Sequence, residues 1–452
     1  MQNDLETLTQ QIEALSAGTV SSSFLAERAL DRALRFENLN AFVALDPAHV
    51  MAQAKAADER RIQGQPLSVL DGIPIAVKDN YLTQDYPTTA CSKALPLEPA
   101  GTDATIVANL RRAGAVIFGK TNMHEWAYGA TNSTSRFGPT KNPHDLDRIT
   151  GGSSGGSGAA VAAGIVAAAL GSDTGGSVRI PAGACGIYGF KPSYGRASRH
   201  GILPLSWSLD APGPLAASLE DIRHLLPFFC GGDPNDPATR HAMPFDDTVS
   251  TGRPKLTSLT GVGLERSAGV DTAIRSALTR CDADVTESGL ADISAYFAAW
   301  ETILHCEASA YHTPLLARNA AGYSSVTRAH LEAGKLLTGV ELLKAQQIRT
   351  NLMTQLAALG DWDALVLPTL PVVAPRAGED WQEFGGRRVT TQDAMTWFCW
   401  IGNLAGLPCI SIPIGMSPDG LPIGMMLMGR PNADEHLFGI AAWIDRNTRT
   451  GK

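Results

Sequence analysis

The chain has 452 residues, 44% of them hydrophobic and 18% charged, enough apolar surface for one large core or two ordinary ones. A formal net charge of −8 and the lack of any Lys/Arg run speak against a nucleic-acid-binding surface. Seven scattered cysteines without a CxxC pair (Cys91, Cys185, Cys230, Cys281, Cys306, Cys399, Cys409), a polar acidic start and no uncharged bilayer-length run read as a reduced, cytoplasmic protein with no signal peptide and no membrane partner.

From the amino terminus, Leu5, Leu8, Ile12 and Leu15 recur at helical spacing, and Ser21 to Ser23 supply a cap for a second helix through FLAERALDRAL. The stretch AFVAL reads as a strand, and HVMAQAKAADERRIQ as a further helix ending in the turn signal QGQP. GIPIAVKDN (72–80) and GAVIFGKTN (114–122) are short apolar runs with polar tips, and the helix-like ATIVANLRRAG lies between them. Short buried strands alternating with helices predict an α/β architecture, a sheet covered by helices on both faces. Residues 159–170, AAVAAGIVAAAL, are expected to form a buried, closely packed helix, with GSDTGGS turning sharply after it. Residues 230 to 350 read as acidic and helical, a layer laid over the core. DALVLPTLP (363–371) and PCISIPIG (408–415) restore strand character, and SPDGLPIGMMLMG reads as a hairpin.

Two patterns are decoys. GAVIFGKT (114–121) fits the phosphate-loop formula GxxxxGK[ST], but its middle positions, Ala115 to Phe118, have the makeup of a buried strand rather than of a loop that wraps phosphates. His305, Cys306 and His312 lie close in sequence without a further ligand or an HExxH motif, so no metal site is expected. The cluster GGSSG also matches the strand–elbow formula GxSxG loosely.

Three other features fit together. Lys78 ends the apolar strand GIPIAVKDN, Ser153 and Ser154 sit in the glycine cluster GGSSGGS, and Ser177 sits in DTGGSVRIPA. Singly, each has a bland reading: a lysine snorkelling to solvent, a linker serine, a helix cap. With GGSSGGSGAAVAAG, GSDTGGSVRIPAGACGIYGFKPSYGR, GKTNM (119–123), DALVLPT (363–369) and NLAGLPCISIPIG (403–415), the chain resembles the amidase signature family of serine hydrolases. The resemblance runs over nearly the whole chain and is weakest between 230 and 340.

The resemblance implies an α/β/α sandwich around a central mixed, twisted sheet, one amidase domain over 1–452. Within it 1–65 is an N-terminal helical part, 66–225 the signature core, 226–350 a helical cap-like layer and 351–452 the C-terminal part of the core sheet. It implies Ser177 as nucleophile, Ser153 after a cis peptide bond as the bridging serine, and Lys78 as base. The physics agrees: a serine hydroxyl needs a base, and a lysine serves as one only when burial keeps it neutral. Backbone amides of Thr174, Gly175, Gly176 and Ser177 would form a nest for the oxyanion, braced by Ser154, Asp173 and Arg179.

Members of this family cleave carboxamides, ureas and carbamates, and one branch takes part in glutamyl-tRNA amidotransferase as its glutamine-hydrolysing component. In that branch an arginine pair helps hold a glutamine carboxylate, where this chain has Arg328-Ala329-His330. Trp126, Tyr128, Tyr194, Trp207, Trp397, Phe398 and Trp400 are the candidate pocket aromatics, suited to an apolar or aryl group. The expectation is a stand-alone amidase for a small, partly apolar amide or an amide-like carbamate or urea. It would need no metal or cofactor and act as a monomer or homodimer.

Overall fold

The computed structural model describes residues 7–246, 252–290 and 292–449. Helix α1 (Leu8–Ser16) opens with a reciprocal cap: the Thr7 hydroxyl accepts from the Gln10 amide, and the Gln10 side chain accepts from the Thr7 amide. Leu5, expected on the same face, lies outside the described residues. Ser21 caps α2 (Ser22–Arg35), and β1 (Phe42–Ala44), α3 (Pro47–Ile62), β2 (Pro74–Lys78), α4 (Thr105–Arg112) and β3 (Val116–Thr121) follow. The phosphate-loop decoy is thus a strand, buried at every position of β3.

After a small antiparallel pair, β4 (Lys141–Asn142) and β5 (Asp145–Ile149), comes a correction to the sequence reading. AAVAAGIVAAAL is not one helix. Helix α5 (Gly155–Ala162) stops just before Gly164, which adopts φ +65°, and the run re-emerges as β6 (Ala168–Asp173). Small residues buried on all sides carry neither helical nor strand period, so only the left-handed glycine marks the break.

Helix α6 (Arg179–Cys185), β7 (Tyr188–Lys191), β8 (Ala211–Ala216) and α7 (Leu219–Phe229) complete the first half. The span expected to be helical begins instead with strand, helix and strand: β9 (Lys255–Thr260), α8 (Ala268–Arg280) and β10 (Asp284–Gly289). Helical structure follows as α9 (Ser294–Asn319), α10 (Ser325–Gly334) and α11 (Gly339–Ala357). β10 escaped notice because it has no buried face; its parallel pairing with β9 holds it. Then come β11 (Ala364–Pro368), the hairpin β12 (Trp381–Phe384) and β13 (Arg387–Thr390), α12 (Thr391–Thr396), α13 (Trp400–Leu404), β14 (Cys409–Met416), β15 (Pro422–Gly429) and α14 (Asp434–Arg449).

Eleven strands form one mixed sheet in the order β1-β3-β2-β6-β8-β7-β14-β15-β11-β9-β10. β2 runs parallel to β3 and β6, β8 antiparallel to β6, and β9 parallel to β11 and β10. Helices cover both faces. Alternation along β2 sends Ile75 and Val77 into one cluster with Leu8, Leu110, Ile222 and Leu437 of α1, α4, α7 and α14. Ala76 packs on the other face with Ala26, Val50 and Ala159 of α2, α3 and α5. Lys78, two residues on, continues that face at the strand's end. No helix among the described residues is long and apolar enough to cross a membrane.

Candidate active site

Parallel pairing of β2 with β6 brings Lys78 and the Ser172–Asp173 end of β6 to one edge, and α5 starts beside them. Lys78 is fully buried. Its Nζ lies 2.7 Å from Ser153 Oγ, 2.9 Å from Ser172 Oγ and 3.4 Å from the Ser172 carbonyl. Asn80, two residues along from Lys78, donates to the same Ser172 hydroxyl at 3.0 Å. Burial pushes the Lys78 amine down to about 7, against the pull of Asp173, Asp210 and Cys91.

Two other lysines are equally buried, and their partners differ. Lys120 donates to the Tyr81 carbonyl at 2.7 Å, the Pro87 carbonyl at 3.2 Å and the Thr88 hydroxyl at 2.7 Å, with Asp79 3.5 Å away. Lys191 donates to the carbonyls of Pro192 at 2.9 Å and Leu407 at 2.5 Å. Those ammonium groups are spent tying loops down. Lys78 instead meets two serine hydroxyls, which can equally well donate to a neutral amine.

The Gly152–Ser153 peptide bond is cis. The Ser153 carbonyl accepts from the His124 amide at 3.0 Å, and the Ser154 amide donates to the Ser177 carbonyl at 3.3 Å, so the serine loop is stitched to the turn after β6. The Ser154 hydroxyl bonds the backbone of Ser172 at 3.3 and 3.4 Å. Among the described residues none hydrogen-bonds the Ser177 hydroxyl, which faces a pocket. The Lys78–Ser153 leg is therefore formed, while the Ser153–Ser177 leg is not made as a hydrogen bond in this state.

Asp173 organises the turn that carries Ser177. Its carboxylate accepts from the Gly176 amide at 2.8 Å, the Val178 amide at 3.1 Å, and Arg179 Nε and Nη2 at 3.0 and 2.8 Å. Burial alone would raise the Asp173 carboxyl, but the Arg179 guanidinium beside it wins and holds it down to about 2. Arg179 is fully buried and also donates to Asn403 Oδ1 at 2.7 Å; Asn403 Nδ2 returns to the Asp173 carboxylate at 2.9 Å and to its carbonyl at 3.0 Å. Asn403 belongs to the NLAGLP stretch but was not among the expected site residues. One expectation changes: the Gly176 amide is committed to Asp173 and is not free for an oxyanion.

Ser177 and Gly175 open into a small pocket of about 80 Å³ that leads to solvent. Of the expected aromatics only Tyr128 lines it. Trp126 stacks on Tyr323 and meets His312 edge-on, Trp397 packs on Phe384, and Trp400 and Phe398 are core residues. Trp207 lines an adjoining pocket with Asn80, Ser172 and Asp210 that shares Ala127, Thr174 and Leu205 with this one, and Tyr194 lies under Arg199. Trp300 on α9, far from the signature motifs, also lines the nucleophile pocket. Its Nε1 donates to the Thr174 carbonyl at 3.2 Å, and its ring lies so close to Gly175 that a Cβ there would sit 2.3 Å from Cζ2. Thr174 is held as well by its hydroxyl, which donates to Asp210 at 2.5 Å.

Tyr128 hydrogen-bonds His305, whose ring stacks on His330 at 5.7 Å. Burial lowers both imidazoles, His305 to about 4. Of the metal decoy, His305 thus belongs to the pocket, whereas His312 bonds the Tyr323 hydroxyl at 2.9 Å. Among the described residues no group of three or more His, Cys, Asp or Glu side chains is arranged to hold a metal ion.

A family model described as Amidase matches residues 25–438. The chain is 37% identical to the A-type subunit of the glutamyl-tRNA(Gln) amidotransferase from Anaeromyxobacter sp. (strain K), over 96% of this chain and 94% of that protein. Among solved structures it superposes, with TM-score 0.92 and 33% identity over 99% of both chains, on a chain from a structure described as an unexpected vestigial protein complex that reveals the evolutionary origins of an s-triazine catabolic enzyme. A bacterial aryl acylamidase of the amidase signature family gives TM-score 0.88 and 25% identity, over 98% of this chain and 96% of that one.

Proposed function

This chain belongs to the amidase family and is a C–N hydrolase; from that premise we propose a stand-alone enzyme that opens small, partly apolar amides, or amide-like carbamates and ureas, through Ser177. The observation that carries the reading is the buried Lys78 amine, held near neutrality and hydrogen-bonded to Ser153, one loop away from a serine that faces a pocket. In the proposed cycle Ser177 Oγ attacks the amide carbon while its proton passes to Ser153 and the Ser153 proton to Lys78. Free amides on the Thr174–Ser177 turn, with Gly176 left to Asp173, stabilise the oxyanion. The relay then reverses to protonate the departing amine, and water cleaves the acyl-enzyme ester along the same path. The Ser153 and Ser177 hydroxyls must come within hydrogen-bond reach of each other for this.

The pocket wall supports the substrate class. Trp300, Leu205, Leu304 and Tyr128 make it largely apolar, and neither lysine nor arginine lines it. Arg328, in the stretch comparable to the arginine pair of the amidotransferase branch, is exposed and outside the lining. A glutamine carboxylate therefore finds no fixed cation there. The identity with the amidotransferase component keeps that glutamine-hydrolysing activity as the second reading. The test is to incubate the purified chain alone with aryl amides, primary amides, carbamates and glutamine, and to map fluorophosphonate labelling. The reading expects turnover without a partner and label on Ser177; glutamine-only turnover that needs added partner chains would favour the second reading, and an unlabelled Ser177 would defeat both.

A further inference from the structure

The pocket beside Ser177 holds two carboxylates that the hydrolytic cycle does not use. Glu301 comes from the first third of α9 and Asp393 from α12, and both line the cavity shared with Ser177, Gly175 and Trp300. Among the described residues neither side-chain carboxylate has a hydrogen bond or an ion pair. Asp393 occupies the third position of a helix capped by Thr390, where a carboxylate also suits the helix amides. Glu301 lies well inside its helix and has no such duty.

The rest of the lining offers no counter-charge. No lysine or arginine is present, and burial keeps His305 and His330 on the neutral side. Carboxylates drawn partly out of water without a cation are costly. Burial, with the charge of Asp393 added, pushes the Glu301 carboxyl up to about 7. An adjoining cavity shares Tyr128, His330 and Gln392 with the first. His124 lines it at 4% exposure, and its buried Nδ1 has no hydrogen-bond partner. Arg376 lines that adjoining cavity, whereas the lining shared with Ser177 holds no lysine or arginine.

Resting on the reading of this pocket as the substrate site, we propose that the substrate carries an ammonium group, received jointly by Glu301 and Asp393 beside the amide that Ser177 attacks. Substrate would supply the positive charge the lining lacks, so the pocket selects cationic over anionic amides of one shape.

The experiment measures binding to Ser177→Ala, where turnover does not intervene. Two shape-matched pairs serve as probes: 5-aminopentanoyl against hexanoyl p-nitroanilide, and N-(5-aminopentyl) against N-hexyl benzamide. In at least one pair the cationic member should bind tighter by about tenfold or more, and glutaryl p-nitroanilide should bind weakest in its series. Adding Glu301→Gln or Asp393→Asn to Ser177→Ala should each cut the cationic preference several-fold while leaving the neutral probe's affinity in place. Equal affinities within both pairs, or a preference that survives both added substitutions, overturns the proposal. A wild-type chain that binds these amides and hydrolyses none would instead count against the proposed function.

Discussion

Gly175→Ala tests how the nucleophile turn is seated. A Cβ at 175 would lie 2.3 Å from Trp300 Cζ2 and 3.1 Å from both Cε2 and Cη2, so the indole must retreat by about an ångström to reach ordinary contact. That retreat pulls on the Trp300–Thr174 hydrogen bond and moves one wall of the Ser177 pocket. Overpacking of this kind costs about 1–3 kcal/mol of stability. A wall displaced by about 1 Å lowers kcat/KM by on the order of 10²-fold. The assay pairs thermal unfolding with aryl-amide hydrolysis for Gly175→Ala, Trp300→Leu and the double variant. Leucine removes the obstructing ring, so alanine at 175 should cost much less stability in the Trp300→Leu background, a coupling of about 1–3 kcal/mol. If Gly175→Ala costs the same in both backgrounds, the indole contact is not what glycine serves there.

Two further outcomes are expected. The proposed cycle uses Lys78 as a neutral amine, and burial holds that amine down to about 7, so kcat/KM should fall on the acid side of that value, about tenfold per pH unit, in a pH–rate profile; a flat profile down to about pH 5 would rule out this base. Arg179→Met strands the buried Asp173 carboxylate and should cost about 3–5 kcal/mol in denaturant unfolding. The sign with pH follows: Asp173 is held down to about 2, so its stabilisation is present above the unfolded carboxyl range and is lost only as pH falls toward that value. Without the guanidinium, burial raises the Asp173 carboxyl, so the variant's deficit should be largest near neutral pH and shrink as pH falls and the carboxylate is protonated.

The parts of the site carried by short local motifs could be read from the chain. Lys78, Ser153, Ser177, Asp173 and Arg179 sit in short motifs whose resemblance to the amidase signature family singled them out, since each alone has a bland reading, and the structure brings them to one end of the sheet. Trp300 could not be read: α9 enters the pocket from a stretch with no motif, and an indole there has the same sequence signal as any core tryptophan. Trp126, Trp397 and Trp400 carry that same signal and turn out to be packing residues. Asn403 was visible only as part of the NLAGLP stretch, since its role depends on lying beside Asp173 across the sheet. In the fold, the split of AAVAAGIVAAAL hinged on one glycine conformation. β10 was missed because its backbone pairing, not its side chains, makes it a strand.

That last strand has a practical side. β10 closes the sheet at the end opposite β1, several strands beyond β6 and Lys78, and Asp284, Thr286 and Glu287 along it are exposed. Its carboxylates discourage a stray strand from another molecule from adding there. It is therefore the natural place to anchor the enzyme to a solid support or splice in a reporter peptide, with the hydrolytic machinery left untouched.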